Sequence, residues 1–205
     1  MKWTKDTFYS NTKWYHATST DFAFSIISKG VLAEINKTKP LDFGYGFYLT
    51  PNKEWACKYL TEQLHVTEND ASVDVNDGYI LEFEFVPKNY EQSHKTKFFD
   101  GLNNQFAKFV FRNRMYYKYH IFSKCVHKYD FVAGPMSDGK QLNDFLEYQL
   151  HKISKKQLFE RLLKPNEDWQ LLLHSQELCD KLKLVKVYNT KGDEVDVTSI
   201  QKKSN

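Results

Sequence analysis

Two tyrosines, Tyr48 and Tyr59, have ten residues between them and lie where a short predicted strand leads into a predicted helix. Because a strand end and the helix that follows it can face the same cleft wall, the two rings could enclose a flat aromatic ring. Gly44 and Gly46 come just before Tyr48, and glycine lets the backbone approach a ligand closely. This spacing favours a binding site for a planar aromatic ligand.

Two further polar residues lie at the ends of predicted strands. His16 ends the stretch KWYH, and Gln170 opens the stretch QLLL. A lone histidine in such a position is more often structural than a ligand-binding residue, and the glutamine alone indicates nothing. The histidines His120, His127, His151 and His174 have no metal-ligand spacing, so we expect no metal site.

Hydrophobic periodicity and capping residues predict the elements that must position these residues. A helix is expected from Asp21 to Gly30, another after the N-cap and first-turn pair Thr50-Pro51, and a third opened by the capping box of Ser154 and Gln157. The other predicted helices cover 103–115, 142–150 and 175–182. Strands are predicted at 13–16, 47–50, 79–86, 129–133, 170–173, 184–188 and 194–197, and loops at 36–45 and 66–78. The strand at 79–86 alternates apolar and acidic residues, which predicts one buried and one solvated face.

This order predicts an α+β protein with a single domain over residues 1–205, because strands and helices do not alternate as βαβ units. There is no glycine-rich phosphate motif of the Rossmann or P-loop kind. The 205 residues are 16% aromatic with a net charge of +3, which excludes a disordered chain and a uniformly basic nucleic-acid coat. No apolar run is long enough to span a bilayer, and no signal peptide is apparent. Three scattered cysteines do not predict disulfides, so we expect a cytoplasmic protein.

Charge is unevenly distributed along the chain. The segment 62–91 has eight acidic residues and one lysine, whereas the segment 95–128 has eight basic residues and one aspartate. Aromatic residues are interleaved with the basic ones, and cations with aromatic faces can bind nucleic acid. The alternative, which this pattern favours more, is that the aromatic residues belong to the core and the lysines to a solvated face. For Arg112 and Arg114 the alternatives are a phosphate ligand or surface carboxylates, and the second is favoured.

Several stretches together resemble a known family: YHAT at 15–18, DFGYGFYLT at 42–50, FVFRNR at 109–114, YDFVAGPMSD at 129–138 and QLLLHSQEL at 170–178. They resemble the ADP-ribosyltransferase superfamily of the His-Tyr-Glu type, which includes diphtheria-toxin-like enzymes and poly(ADP-ribose) polymerases. They are most similar to a bacterial group of unknown function, the DUF3990-like proteins. The resemblance covers a core of about 14–184 and leaves 185–205 as a C-terminal hairpin and tail.

The resemblance implies two small packed antiparallel sheets that form a cleft for NAD, with helices around them. In this reading His16 bonds the adenosine-side ribose, the backbone of Ala17 holds the nicotinamide carboxamide, and Tyr48 and Tyr59 pack about the nicotinamide ring. The family commonly has glycine where this chain has Ala17. Thr18 and Gly46 complete the implied NAD-binding set. Nicotinamide would leave through an oxocarbenium-like state, and a nucleophile on the target would take the ADP-ribose.

The resemblance implies His16, Tyr48 and Gln170 as the catalytic residues, and Gln170 departs from the family pattern because a glutamate is usual there. A glutamine can bond a ribose hydroxyl, but it neither accepts a proton nor brings negative charge to a developing cation. This substitution favours transfer of a single ADP-ribose over chain elongation. Glu167, Asp168 or Asp138 could supply a carboxylate instead.

We therefore expect an NAD-dependent mono-ADP-ribosyltransferase of bacterial or phage origin. The resemblance implies a toxin or effector, held in check by an antitoxin, that modifies a protein or a nucleic acid. Two alternatives remain open on the sequence: an NAD glycohydrolase, with water as the acceptor, and an inactive module that binds a nucleotide or a partner. No membrane partner is expected.

Overall fold

The computed structural model describes residues 3–35, 41–63, 78–118, 127–137, 141–165 and 167–197. The predicted loop at 66–78 lies outside these ranges except for its last residue, and so do half of the loop at 36–45 and Asp138. The strands are β1 (Lys13–Ser19), β2 (Phe47–Leu49), β3 (Gly78–Glu84), β4 (Thr96–Phe98), β5 (Phe131–Pro135), β6 (Trp169–Leu173), β7 (Lys183–Tyr188) and β8 (Glu194–Val195). The α-helices are α1 (Lys5–Tyr9), α2 (Thr20–Lys29), α3 (Lys53–Lys58), α4 (Asn104–Lys118), α5 (Gln141–Gln149), α6 (Lys155–Leu162) and α7 (Gln176–Cys179). The architecture is α+β with two small sheets.

The first sheet has the order β1-β3-β7-β8 and is antiparallel throughout. The prediction that β3 has a solvated face is wrong. Helix α3 covers the outer face of this sheet, where Ala56 and Leu60 pack with Ile80 and Tyr188. On the same face Glu82, in the middle of β3, is only 2% exposed and accepts a hydrogen bond from the hydroxyl of Tyr188. The alternating sequence pattern does not show that this polar side of the strand is covered.

The second sheet has the order β2-β6-β5-β4. Strands β2, β6 and β5 pair antiparallel, whereas β4 and β5 pair parallel. The expectation of two purely antiparallel sheets is therefore wrong for this pair. Parallel neighbours need a crossover connection, and helix α4 lies between β4 and β5 in the chain.

The main core lies between the two sheets. Leu81 and Phe83 of β3 and Leu171 and Leu173 of β6 are members of one buried cluster. A second cluster covers the other face of the second sheet, where Val132 and Leu172 pack under α4 and α6. We name it the outer cluster; it contains Phe43, Phe99, Phe106, Ala107, Val110, Val132, Phe145, Ile153, Leu158, Leu162 and Leu172.

A pair of backbone hydrogen bonds joins the two sheets. The N–H of Tyr15 donates to the carbonyl of Thr50 at 2.8 Å, and the N–H of Thr50 donates back at 2.9 Å. We call this point the sheet junction. The prediction that Thr50 is the N-cap of the helix that follows is wrong, because Thr50 forms this bridge. The N-cap of α3 is Asn52, whose side chain accepts a hydrogen bond from the N–H of Trp55.

Other local predictions are confirmed. Ser154 and Gln157 form the capping box at the start of α6. Gly30 follows α2 with φ of +85°.

After α3 the chain continues as a π-helical turn, Tyr59–Gln63, which the sequence did not indicate. In the described part of the chain, no helix combines the length and the apolarity that a membrane crossing requires.

Candidate functional site

The turn that precedes β2 depends on glycine. Gly44 has φ of +89° and Gly46 has φ of +145°, a region that side-chain-bearing residues rarely adopt. A Cβ atom on Gly46 would lie 2.3 Å from Cδ1 of Leu172 and 2.6 Å from the carbonyl oxygen of Leu173. The turn therefore lies directly against β6, and only glycine fits there.

Asp42 anchors this turn to helix α4. The Nε of Arg114 donates to Oδ1 of Asp42 at 2.6 Å, and the hydroxyl of Ser137 donates to Oδ2 at 2.7 Å. The side-chain amide of Asn113 donates to the backbone carbonyl of Asp42 at 3.0 Å. Arg114 thus pairs with a carboxylate, as favoured above, although this carboxylate is buried, and Arg112 is exposed.

Tyr48 uses its hydroxyl within the same turn. The hydroxyl donates to the carbonyl of Gly44 at 2.7 Å and accepts from the N–H of Phe43 at 3.0 Å. The half-buried ring packs against the outer cluster. Because the hydroxyl closes the turn, any contribution of Tyr48 to ligand binding falls to its ring.

His16 connects the first sheet to this turn. Its Nδ1 lies 2.8 Å from the backbone carbonyl of Tyr48, which can only accept, so Nδ1 carries the proton and Nε2 is an acceptor. The ring packs on Phe47 with centroids 4.2 Å apart. Burial lowers the pKa of His16 from 6.5 to about 4, against the opposing effect of the hydrogen bond to Tyr48. His16 is therefore neutral at pH 7.

Gln170 lies beside the sheet junction on β6. It pairs with Gly134 of β5, and its neighbour Leu171 pairs with Leu49 of β2. Tyr48 pairs with Leu172, so Tyr48 and Gln170 lie on the same face as diagonal neighbours, with Cα atoms about 7–8 Å apart. Gln170 is 7% exposed, and its buried amide nitrogen has no hydrogen-bond partner in the part of the chain that the structure describes. A buried donor of this kind costs about 1–3 kcal/mol.

Tyr59 lies in a different layer. It is the first residue of the π-helical turn and stacks on Trp55, with ring centroids 5.1 Å apart. Together with Tyr15 and Ala17 it packs against the cluster beneath α3, whereas Tyr48 packs against the outer cluster. The structure therefore brings Tyr48 and Gln170 to one face of the second sheet. His16 is joined to them through the backbone carbonyl of Tyr48, while its ring packs on Phe47 in the main core. The expectation that both tyrosines enclose one ring stays a prediction. Ala17 and Thr18 lie next to His16 on β1, opposite Ile80 and Tyr79.

A family model for proteins of unknown function, DUF3990, matches residues 13–184. The chain belongs to this family. No curated protein and no solved structure matches it. The match ends within β7, so most of the hairpin β7–β8 of this DUF3990 protein lies beyond the family model.

The carboxylates proposed to replace the family glutamate have different surroundings in this DUF3990 protein. Asp168 is half-buried two residues before Gln170, and burial raises its pKa. Glu167 is exposed, and Asp138 lies outside the described residues. Among the described residues, no cluster of histidine, cysteine, aspartate and glutamate could hold a metal ion.

Sequence reasoning missed Glu82 as a buried carboxylate. The hydroxyl of Tyr188 donates to its Oε2 at 2.5 Å, and Nζ of Lys13 lies 3.5 Å from Oε1. Burial and the bond to Glu82 raise the pKa of Tyr188. The available signal was an acidic residue between large apolar residues on a strand whose partners were unknown.

Sequence reasoning also missed a pair of histidines beside the turn before β2. Nε2 of His127 donates to the carbonyl of Phe43 at 2.7 Å, and Nδ1 of His174 donates to the carbonyl of Tyr45 at 2.9 Å. Burial lowers the pKa of His127 from 6.5 to about 4. The sequence did not indicate that they meet, because the contacts join segments far apart in the chain.

The two half-buried, neutral histidines predict a loss of stability in acid. His16 and His127 have folded-state pKa values of about 4, below the 6.5 of the unfolded chain. The unfolded state therefore binds more protons between pH 6.5 and 4, and stability that is complete above pH 6.5 is lost as pH falls through this window. We expect each histidine to lower the free energy of unfolding by about 2 kcal/mol at pH 4.5.

Urea unfolding of the parent, His16→Gln and His127→Gln at pH 7.5 and pH 4.5 measures this effect. Each variant should lose less stability than the parent between the two pH values. His94→Gln is the matched control, because His94 bonds to Ser93 in a surface turn, and it should keep the full acid loss. Equal losses in all four proteins would contradict the assignment of the two histidines as neutral.

Proposed function

We propose that this DUF3990 protein binds NAD and transfers its ADP-ribose group, once, to a macromolecule. The observation that carries the proposal is the buried amide nitrogen of Gln170, which has no hydrogen-bond partner among the described residues. Gln170 shares a sheet face with Tyr48, and the backbone carbonyl of Tyr48 binds His16. A protein does not retain such a donor for stability, since it is costly in the unliganded state. A ribose hydroxyl of NAD would satisfy it.

The other residues of the site have the chemistry that this ligand needs. The unprotonated Nε2 of neutral His16 can accept a hydrogen bond from a ribose hydroxyl. The rings of Tyr48 and Tyr59 are candidates for contact with the nicotinamide, and the glycines before Tyr48 permit close backbone approach. A π-helical turn begins at Tyr59, and such turns occur often at functional sites.

The proposed reaction breaks the bond between C1′ of the ribose and the ring nitrogen of nicotinamide. The bonding electron pair leaves with nicotinamide, which thereby becomes neutral. A nucleophilic oxygen or nitrogen of the acceptor forms the new bond to C1′ and loses its proton. Half-buried Asp168, whose pKa is raised, is the nearest carboxylate in sequence to Gln170 and is the candidate to accept that proton.

A second candidate function is a binding module without catalysis. Gln170 favours it, because an amide adds no negative charge next to a developing cation. Water as acceptor, which makes the protein an NAD glycohydrolase, would use the same site. The toxin or effector role implied by the family resemblance belongs to the proposal only if transfer occurs.

The experiment uses purified protein, cell extract and NAD labelled in the adenylate phosphate, so that the label stays with ADP-ribose. We expect label in a protease-sensitive or nuclease-sensitive fraction, together with equimolar nicotinamide. His16→Ala should reduce nicotinamide release about 10- to 100-fold, the effect of one lost hydrogen bond to substrate. His94→Ala, at a histidine that bonds to the Ser93 hydroxyl and lies edge-on against Tyr90, should leave it unchanged.

The outcomes separate the candidate functions. Labelled macromolecule that is lost in His16→Ala supports transfer. Free ADP-ribose without labelled macromolecule indicates hydrolysis. NAD binding without nicotinamide release selects the binding module, and the absence of NAD binding contradicts the proposal as a whole.

A further inference from the structure

Five exposed cations lie on helix α4 and at the start of helix α6. Lys108 and Arg112 are one turn apart on α4, Lys155 and Lys156 open α6, and Lys152 precedes it. We call these five residues the basic face. Nζ of Lys155 lies 4.5 Å from the ring centroid of Phe111, the residue just before Arg112, so the two helices present their cations side by side.

Four of the five cations of the basic face have no carboxylate neighbour among the described residues. In the described part of the chain, no carboxylate lies within 4.0 Å of Lys108, Arg112, Lys152 or Lys155. The acidic residues of α5, Asp144 and Glu147, both bind Arg161, at 2.6 and 2.8 Å. Lys156 has one partner, Glu160, at 4.0 Å between two exposed side chains, and such pairs contribute little.

The position of the two lysines on α6 is electrostatically unfavourable for the isolated protein. Lys155 and Lys156 occupy the first turn of the helix, where the macrodipole is positive and acidic residues are preferred. Lysines at this end add to the positive potential instead of opposing it. A bound anion would reverse this penalty, which indicates a polyanionic partner.

The surroundings of Lys155 favour nucleic acid among polyanions. The rings of Phe111 and Phe159 are partly buried and meet at 5.7 Å, and Lys155 lies within 5.5 Å of both ring centroids. Cations beside aromatic faces match a ligand that has both phosphates and flat bases. An acidic polypeptide would use the charges but not the rings.

We propose that the basic face binds the phosphodiester backbone of a nucleic acid strand. Helix α4 carries this face on its exposed side and Arg114, the anchor of Asp42, on its inner side. The bound strand is therefore held on the helix that fixes the turn of the candidate site. Its role as acceptor of ADP-ribose rests on the proposed function, but its binding does not.

The test measures fluorescence anisotropy of labelled 20-residue single-stranded RNA and DNA oligonucleotides, without NAD, between 50 and 200 mM salt. Lys108→Gln/Arg112→Gln should weaken binding about tenfold at low salt. It should also reduce the slope of log K against log salt by about 1.4, since each phosphate contact on a single strand contributes about 0.7. Lys29→Gln/Lys191→Gln removes the same charge from exposed sites elsewhere in the protein. This control should leave both the affinity and the salt slope close to those of the parent.

Three results would overturn the proposal: no oligonucleotide binding by the parent, equal loss in the two double variants, or displacement by polyglutamate at equal charge concentration. A preference for RNA or for DNA supports it and names the strand. Nicotinamide release without acceptor should be unchanged in Lys108→Gln/Arg112→Gln. Oligonucleotide binding is measured without NAD, so it can be observed even if the protein does not transfer ADP-ribose. Transfer to a protein acceptor could likewise be observed even if no oligonucleotide binds.

Discussion

Replacing Gln170 with leucine is expected to reduce nicotinamide release by about 100- to 1,000-fold, the usual effect of losing one preorganised donor at a reacting centre. The same change should leave the free energy of unfolding equal to that of the parent or raise it by about 1 kcal/mol. The gain arises because leucine removes a buried donor that has no partner. Loss of activity together with a gain in stability is the result expected when a functional residue is replaced.

Urea unfolding and single-turnover nicotinamide release measure the two effects on the same preparation. Gln176→Leu is the matched control, because the amide of Gln176 bonds to the backbone of Val31 and Ala33 and to the side chain of Asp180. This control should lose about 1–2 kcal/mol of stability and keep its activity. If Gln170→Leu instead destabilises the protein and remains active, Gln170 is structural and the proposed function loses its main support.

Replacing Asp42 with alanine is expected to have the largest effect on stability. Asp42 is 8% exposed and holds the guanidinium of Arg114 and the hydroxyl of Ser137. Removing one partner of a buried pair leaves an uncompensated charge and costs about 3–5 kcal/mol. For a domain of this size that corresponds to a fall in Tm of about 10–15 °C.

Thermal unfolding followed by circular dichroism measures this fall. Asp6→Ala is the matched control, because Asp6 pairs with Lys88 at 2.7 Å but its side chain is 84% exposed, so we expect no measurable change. Asp42→Asn keeps an acceptor for Ser137 and should lie between the parent and Asp42→Ala, which provides a folded variant if alanine is too severe. A Tm of Asp42→Ala within 2 °C of the parent value would show that Asp42 does not anchor the turn.

Replacing Asp42 should also change ligand binding at the candidate site. The turn that begins at Asp42 ends in Tyr48, whose carbonyl oxygen holds Nδ1 of His16. We therefore expect Asp42→Asn to weaken NAD binding more than it slows the step after binding. Asp6→Ala should leave both unchanged.

Local patterns in the sequence predicted most of the elements. The capping box of Ser154 and Gln157, the glycines before Tyr48 and the strand that ends in Gly134-Pro135 depend on residues within a few positions of one another. Residues this close interact in almost any fold, because their spacing is set by the helix or strand itself. The DFGYGFYLT motif also indicated the family that the model match establishes over 13–184.

The tertiary structure decided which of these elements meet. The bridge between Tyr15 and Thr50 and the bond from His16 to Tyr48 join positions more than 30 residues apart. The buried carboxylate of Glu82 likewise depends on a distant residue, Tyr188, whose hydroxyl bonds to it. The burial of Gln170 also depends on tertiary structure, because β6 lies between β2 and β5, which come from distant parts of the chain. Sequence periodicity shows which face of an element is apolar. It does not show what covers the other face, because that depends on the pairing of distant segments.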